Sequence, residues 1–123
     1  MIARGAGKII NVGSMLGIAA RPGTAAYAAS KAAVHGLTRA LCAEWAGRGI
    51  QANCIAPGAF ETKMTRALHE NPDISAYVCG RTPAGRWGKP EDLIGTAVFL
   101  AAPASDFVNG QTIVVDGGIL SAI

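Results

Sequence analysis

Short apolar runs alternate along the chain with longer stretches of helical period. The runs at residues 9–12, 50–56 and 111–115 are flanked by Gly or Pro within one or two positions. Such runs are typical of strands in a parallel sheet that is covered on both faces. The alternation of strand and helix therefore predicts an α/β fold with right-handed crossovers between parallel strands.

The longest helix is expected at residues 24–46. Thr24 can cap its first turn, and the glycines at 47 and 49 can end it. Alanine fills many of its positions, so the helix is thin and can pack closely against another backbone. The apolar positions that follow the helical period are Val34, Leu37, Leu41 and Trp45.

Shorter helices are expected on both sides of a turn-rich segment at residues 81–88. Residues 62–80 predict two short helices separated by Asn71-Pro72-Asp73, an arrangement that suits a lid as well as a plain connector. Pro90 begins the next helix, with acidic residues in its first turn, and Pro103 ends it. Its predicted apolar face comprises Leu93, Ala97, Val98, Leu100 and Ala101. At the start of the chain, Gly5 and Gly7 are expected to stop the frayed end of a helix.

Composition narrows the function classes. The 123 residues are 50% hydrophobic and 15% charged, which suits one domain with a buried core. The net charge of +3 comes from scattered basic residues, so no nucleic-acid partner is expected. No apolar run approaches the ~20 residues of a membrane helix, and no apolar signal core is evident at the start. The odd number and wide spacing of the three cysteines predict reduced thiols of a cytoplasmic protein, with no metal site: Cys42, Cys54 and Cys79.

Three polar residues near the first strand form the candidate chemistry. Ser14 follows the apolar run, and Tyr27 and Lys31 are four residues apart in the predicted long helix. Residues at this spacing share one helix face, so the ammonium lies near the phenol. A neighbouring positive charge favours the phenolate, which lets a tyrosine act as general acid or base near neutral pH. The serine hydroxyl can hold a substrate oxygen.

The spacing of these residues resembles that of the short-chain dehydrogenase/reductase family. Its members carry a serine at a strand end, followed thirteen residues later by Tyr-x-x-x-Lys. The resemblance implies that Ser14 orients the reacting carbonyl or hydroxyl and that Tyr27 transfers the proton. It also implies that Lys31 supplies positive charge to the tyrosine while it holds the ribose of an NAD or NADP cofactor.

A second segment carries the same resemblance. Asn53-x-x-x-Pro57-Gly58, with Thr62 four residues later, is similar to the family's Asn-x-x-x-Pro-Gly turn. In the family, this turn and this threonine line the nicotinamide side of the cofactor pocket. Without the resemblance, Pro-Gly is simply a common turn, and Thr62 can equally cap a helix at residues 63–69.

The last third of the chain is most similar to the gluconate 5-dehydrogenase branch of the family. This similarity implies hydride transfer between NAD(P) and a small-molecule sugar acid, with gluconate and 5-ketogluconate interconverted. Arg21 is the candidate ligand for the substrate carboxylate, because it is the one cation in the loop beside the site. The weaker candidates are Arg86, Trp87 and His69. The segments that carry this similarity are residues 81–88, 104–110 and 115–120.

Two other functions stay open at this point. A 3-oxoacyl-[acyl-carrier-protein] reductase or another ketone reductase shares the same three residues. A protein of another class, a truncated remnant that acts only in oligomerisation, would use the alanine-rich helix and the last strand as interfaces. The family resemblance implies a homo-oligomer, a tetramer in the family.

The resemblance covers all 123 residues, yet they match only the carboxyl-terminal half of the family's chains. We therefore expect residues 1–123 to form a single partial Rossmann-like domain, the catalytic half of a doubly wound parallel sheet with about three strands. No Gly-rich turn between a strand and a helix occurs in them. The expected consequences are weak cofactor binding by these residues alone, an exposed strand edge and doubtful activity.

Overall fold

The computed structural model describes residues 1–122. Three strands form one parallel sheet in the order β1 (Gly7–Val12), β2 (Ile50–Pro57), β3 (Thr112–Val115). Each lies within about two residues of its predicted position, so the predicted α/β fold with three strands is confirmed. Gly7 was predicted to stop a helix, but it is the first residue of β1. Only a 3₁₀ turn at Ile2–Arg4 precedes it, ended by Gly5.

Four helices connect the strands. The two short helices predicted at residues 62–80 are present, with Asn71 accepting backbone hydrogen bonds at the start of the second one. The helix that begins at Pro90 starts as a 3₁₀ turn, Pro90–Leu93, before it becomes α-helical. The four helices are α1 (Ala25–Trp45), α2 (Arg66–His69), α3 (Pro72–Arg81) and α4 (Ile94–Ala101).

The helices cover both faces of the sheet. Asn11 of β1 donates a hydrogen bond to Thr38 of α1 at 2.9 Å, whereas Lys8 of the same strand donates to Ser105, just after α4, at 3.1 Å. Positions 8 and 11 point to opposite faces, because side chains alternate along a strand. The sheet therefore lies between α1 on one face and α4 on the other.

The crossovers differ from the prediction in one respect. Both connections advance in the same direction across the sheet, from β1 to β2 and from β2 to β3, while α1 and α4 lie on opposite faces. Two such connections must have opposite hands. Right-handed crossovers were expected for both, so this expectation is wrong for one of them.

Burial is concentrated in β2. Ala52, Cys54 and Ala56 are fully buried, as expected for a strand covered on both faces. By contrast, β1 is an edge strand with half-buried residues, and Val12 is 58% exposed. The prediction of burial on both faces therefore holds for β2 and not for β1, while the expected open edge is present.

The buried face of α1 is more polar than predicted. His35 and Thr38 are buried against the sheet, and Leu37 is 51% exposed. Position 37 lies about 200° around the helix from position 35, so the two cannot face the same side. Leu37 follows the apolar period of the sequence, but it lies outside the face of α1 that is buried against the sheet.

The buried face of α4 is also narrower than predicted. Leu100 is buried, but Val98 is 61% exposed, although both were assigned to the apolar face. None of the helices in residues 1–122 combines the length and the apolar character that spanning a membrane requires.

One stability prediction arises in α4. An added Cβ at Gly95 would meet no atom within 4 Å. We expect Gly95→Ala to raise the free energy of unfolding by up to about 1 kcal/mol, because alanine loses less backbone entropy than glycine in a helix. Urea unfolding checks this. In the control Gly49→Ala, a Cβ would overlap the carbonyl oxygen of Gly5 at a φ of 75°, so destabilisation is expected. A destabilised Gly95→Ala would contradict the packing described here.

Candidate active site

Ser14 lies at the carboxyl end of β1, where loops commonly carry function in parallel sheets. The side chain is buried, 6% exposed, and caps the 3₁₀ turn Met15–Gly17. Its Oγ accepts a hydrogen bond from the backbone N–H of Leu16 at 3.1 Å. Since that bond uses the oxygen as an acceptor, the Ser14 hydroxyl still has its own proton to donate.

Tyr27 and Lys31 lie on adjacent turns at the start of α1. The Lys31 Nζ lies 5.7 Å from the centroid of the Tyr27 ring and donates a hydrogen bond to the carbonyl of Val12 at 3.1 Å. That bond ties the ammonium to the strand end just before Ser14. The Tyr27 side chain is 37% exposed, and among residues 1–122 no partner reaches its hydroxyl. The structure thus brings the three predicted residues together.

Ser14 and Tyr27 border a cavity of about 400 Å³. Its walls come from the loop after β1, the start of α1, the segment with α2 and α3, and the carboxyl-terminal turn. Most of the lining is apolar. The lining residues from the later part of the chain include Leu68, Tyr77, Arg81, Trp87, Ile119 and Leu120.

Gly58 also borders the cavity, directly after β2, which ends at Pro57. A Cβ on Gly58 would lie 2.6 Å from the Cβ and 2.7 Å from the Cα of Asp116. Position 58 therefore has no room for a side chain next to Asp116, which follows β3. This contact requires a glycine whether or not a ligand also lies close to it. Asp116 in turn accepts hydrogen bonds from the N–H groups of Gly118 (2.8 Å) and Leu120 (2.9 Å), which places the carboxyl-terminal turn in the wall.

Thr62 does not border the cavity. Its exposed hydroxyl lies 3.1 Å from that of Thr65, and its oxygen accepts a hydrogen bond from the Thr65 N–H at 3.3 Å. The alternative role as cap of a helix at 63–69 is also not observed, because α2 begins only at Arg66. Thr62 instead stabilises the turn before α2, and its contact with a cofactor stays a prediction.

Arg21 borders the cavity from the loop before α1. The Thr24 hydroxyl donates to the Arg21 carbonyl at 2.7 Å and makes no capping bond to α1. Thr24 does occupy the predicted N-cap position of α1, but its side chain makes no capping bond, because its hydroxyl closes the loop that carries Arg21.

The three weaker candidates have structural partners. Buried Trp87 donates from its indole N–H to Ser75 at 3.0 Å, and His69 packs edge-on against it at 5.4 Å. Arg86 lies outside this cavity and binds both carboxylate oxygens of Asp92, at 2.7 and 3.0 Å. The Arg86 bonds lower the pKa of Asp92 to about 2. Trp87 therefore forms part of the cavity wall, and Arg86 ties the segment at residues 81–88 to the turn that precedes α4.

Sequence reasoning missed His35, which packs beneath the Ser14 turn. The ring is 5% exposed, and a Cβ added to Gly13 or Gly17 would collide with it. Its Nε2 is buried without a hydrogen-bond partner among residues 1–122. Burial lowers the pKa of His35, and the positive charges of Arg39 and Lys31 add to the effect. The signal was available in the sequence, since position 35 lies one helical turn after Lys31.

The lowered pKa of His35 makes stability depend on pH. Below about pH 6.5 the unfolded chain takes up a proton that folded His35 binds only at lower pH. Because the unfolded state binds more protons in this window, the free energy of unfolding rises with pH. We expect His35→Leu to flatten the slope between about pH 7 and 5.5, measured by urea unfolding at several pH values. An unchanged slope would contradict a buried, neutral His35.

Comparisons with known proteins identify relatives of this chain. A family model described as enoyl-(acyl carrier protein) reductase matches residues 1–120. The 5-keto-D-gluconate 5-reductase of Escherichia coli K12 is 54% identical over 123 residues, all of this chain and 48% of that protein. The galactitol 2-dehydrogenase (L-tagatose-forming) of Cereibacter sphaeroides is 52% identical over 120 residues, 96% of this chain and 47% of that protein.

A solved structure matches the fold as well. It is a gluconate 5-dehydrogenase from Burkholderia cenocepacia J2315 in complex with NADP and tartrate, 58% identical, with a TM-score of 0.97. The match covers 99% of this chain and 48% of that one, so the chain spans about half the length of its relatives. This confirms that the three strands are about half of a Rossmann-type fold. Because a family model covers residues 1–120 and the relatives share more than half of the aligned residues, the chain belongs to the short-chain dehydrogenase/reductase family.

Proposed function

We propose that the chain supplies the proton-transfer and substrate-binding half of an NADP-dependent oxidoreductase that interconverts gluconate and 5-ketogluconate. The observation that carries this proposal is that Ser14 and Tyr27 border one cavity, while the Lys31 Nζ lies 5.7 Å from the centroid of the Tyr27 ring and is bound to the strand end just before Ser14. The names of the E. coli and Burkholderia relatives support the sugar acid, and the NADP bound to the latter supports the cofactor.

The residues present fit the nicotinamide side of the cofactor. Lys31 uses one N–H on the Val12 carbonyl and has two more donors for ribose hydroxyls. Gly58 borders the same cavity, and the family resemblance implies that its turn lines the nicotinamide side. When bound, the cofactor supplies the hydride.

The proton steps use this chain's own side chains. The Ser14 O–H donates to the substrate carbonyl oxygen and holds it beside Tyr27. During reduction, the Tyr27 hydroxyl gives its proton to that oxygen; in the reverse direction, the phenolate takes the proton from the alcohol. The Lys31 ammonium stabilises the phenolate that forms. Arg21 is the proposed ligand of the substrate carboxylate.

A second candidate is a reductase of acyl thioesters. The apolar lining of the cavity favours it, because side chains such as Leu68, Ile119 and Leu120 suit an acyl chain better than a polyhydroxy acid. The same three polar residues would transfer the proton, so only the substrate distinguishes this activity from the first.

Rates with the two substrate classes test the proposal. The measurement uses a hybrid enzyme in which residues 1–123 follow the part of the E. coli 5-keto-D-gluconate 5-reductase that they do not cover, placed on the amino-terminal side as the resemblance implies. We expect kcat/KM for 5-ketogluconate to exceed that for an acetoacetyl thioester by at least about tenfold. A preference for the thioester would contradict the sugar-acid assignment and favour the second candidate.

A further inference from the structure

The cavity carries a second cation that sequence reasoning did not single out. Arg81, the last residue of α3, borders the same space as Arg21, Ser14 and Tyr27. Arg21 comes from the loop before α1, so the two arginines border the cavity from different segments. No Asp or Glu is among the residues that line it. Among residues 1–122, the charged side chains that border the cavity are therefore those of Arg21 and Arg81, both positive.

Neither guanidinium is neutralised within the protein. Across residues 1–122, the Arg21 and Arg81 side chains make no hydrogen bond and no ion pair, whereas Arg66 pairs with Glu70 and Arg86 with Asp92. An arginine on open surface is simply hydrated. Arg21 and Arg81 are exposed as well, but they border a cavity whose lining is mostly apolar, so an anion that enters it can accept charge-assisted hydrogen bonds from them.

We propose that Arg81, together with Arg21, forms an anion-recognition site that selects substrates with a carboxylate over neutral polyols and ketoses. This inference rests on the proposed function, because it assigns the substrate's charged end to the site that holds its reacting carbon. The planar fork of arginine matches the two oxygens of a carboxylate. Arg81 thereby determines specificity and takes no part in proton transfer.

Arg81 also has a simpler possible role. It lies in the last turn of α3, where a cation stabilises the helix dipole. That role predicts a change in stability and no change in ligand selectivity. Arg81→Lys separates the two roles, because lysine keeps the charge at the helix end but loses the bidentate geometry.

The test compares two ligands that differ only at one carbon, gluconate and glucitol. Their binding to the purified chain is measured by NMR titration for the wild type, Arg81→Gln, Arg81→Lys and the control Arg48→Gln, an exposed arginine away from the cavity. We expect Arg81→Gln to weaken gluconate binding about tenfold or more and to leave glucitol binding unchanged. Arg81→Lys should restore part of the loss, and Arg48→Gln should match the wild type.

Two results would overturn the inference: a wild type that does not prefer gluconate, or an Arg81→Gln variant that weakens both ligands equally. Because binding needs no hydride transfer, this experiment is independent of turnover. An enzyme that reduces 5-ketogluconate but loses no gluconate selectivity in Arg81→Gln refutes only the role of Arg81. An enzyme without turnover on any ketone refutes the proposed function instead.

Discussion

Tyr27→Phe is expected to lower kcat of the hybrid enzyme for 5-ketogluconate by about 10²–10⁴-fold, the usual contribution of a positioned general acid. The change removes the phenol oxygen, which carries the proton that is proposed to pass to the substrate carbonyl as the hydride arrives. The ring and its contact with Lys31 are retained, so the free energy of unfolding and NADPH binding should stay near wild type. The measurement is NADPH oxidation at saturating 5-ketogluconate.

Tyr77→Phe is the matched control. Tyr77 borders the same cavity from α3 and is 68% exposed, but it lies on a different segment from Lys31. We expect kcat to change by less than about threefold, because the Tyr77 hydroxyl is exposed to solvent and has no proposed part in the proton transfer. A Tyr27→Phe enzyme with more than a tenth of the wild-type kcat, or a Tyr77→Phe enzyme with the larger loss, would contradict the assignment of the proton donor.

Gly58→Ala is expected to destabilise the fold beside the site. The new Cβ would lie 2.6 Å from the Cβ and 2.7 Å from the Cα of Asp116, and backbone cannot move aside as a flexible side chain can. Forcing a methyl group into such a contact costs about 1–3 kcal/mol of unfolding free energy. Urea unfolding of the variant gives this number directly.

The substitution at Gly58 should also change the shape of the cavity. Asp116 holds the turn that carries Ile119 and Leu120, so a displaced Asp116 moves one wall of the substrate site. Gly47→Ala is the control, because a Cβ there meets nothing within 4 Å, and we expect a change within about 0.5 kcal/mol. Equal effects at positions 58 and 47 would show that the contact with Asp116 does not constrain the fold.

Local patterns predicted that the three central residues lie close together, and the family resemblance singled them out as the candidate site. Ser14 directly follows an apolar run, and a spacing of four places Tyr27 and Lys31 on one helix face, so both statements need only the geometry of a strand end and a helix. The same holds for the break between α2 and α3, which Asn71 and Pro72 impose on their own.

Contacts between distant segments could not be predicted in this way. The buried face of α1 follows from the position of β2 beneath it, so apolar period alone pointed to Leu37 although His35 is the buried residue. The clash that requires Gly58 involves Asp116, far along the chain, and Arg81 joins the cavity only through the packing of α3. A pattern of residues along the chain holds no information about which of these segments meet.

The central claim is that residues 1–123 carry the proton-transfer half of a sugar-acid oxidoreductase. Its most direct test is reduction of 5-ketogluconate by the hybrid enzyme with NADPH that carries deuterium at the transferred position. We expect gluconate labelled with deuterium at C5, formed by the wild-type hybrid and at least about a hundredfold more slowly by Tyr27→Phe. A folded hybrid that binds NADPH but forms no labelled gluconate would contradict it.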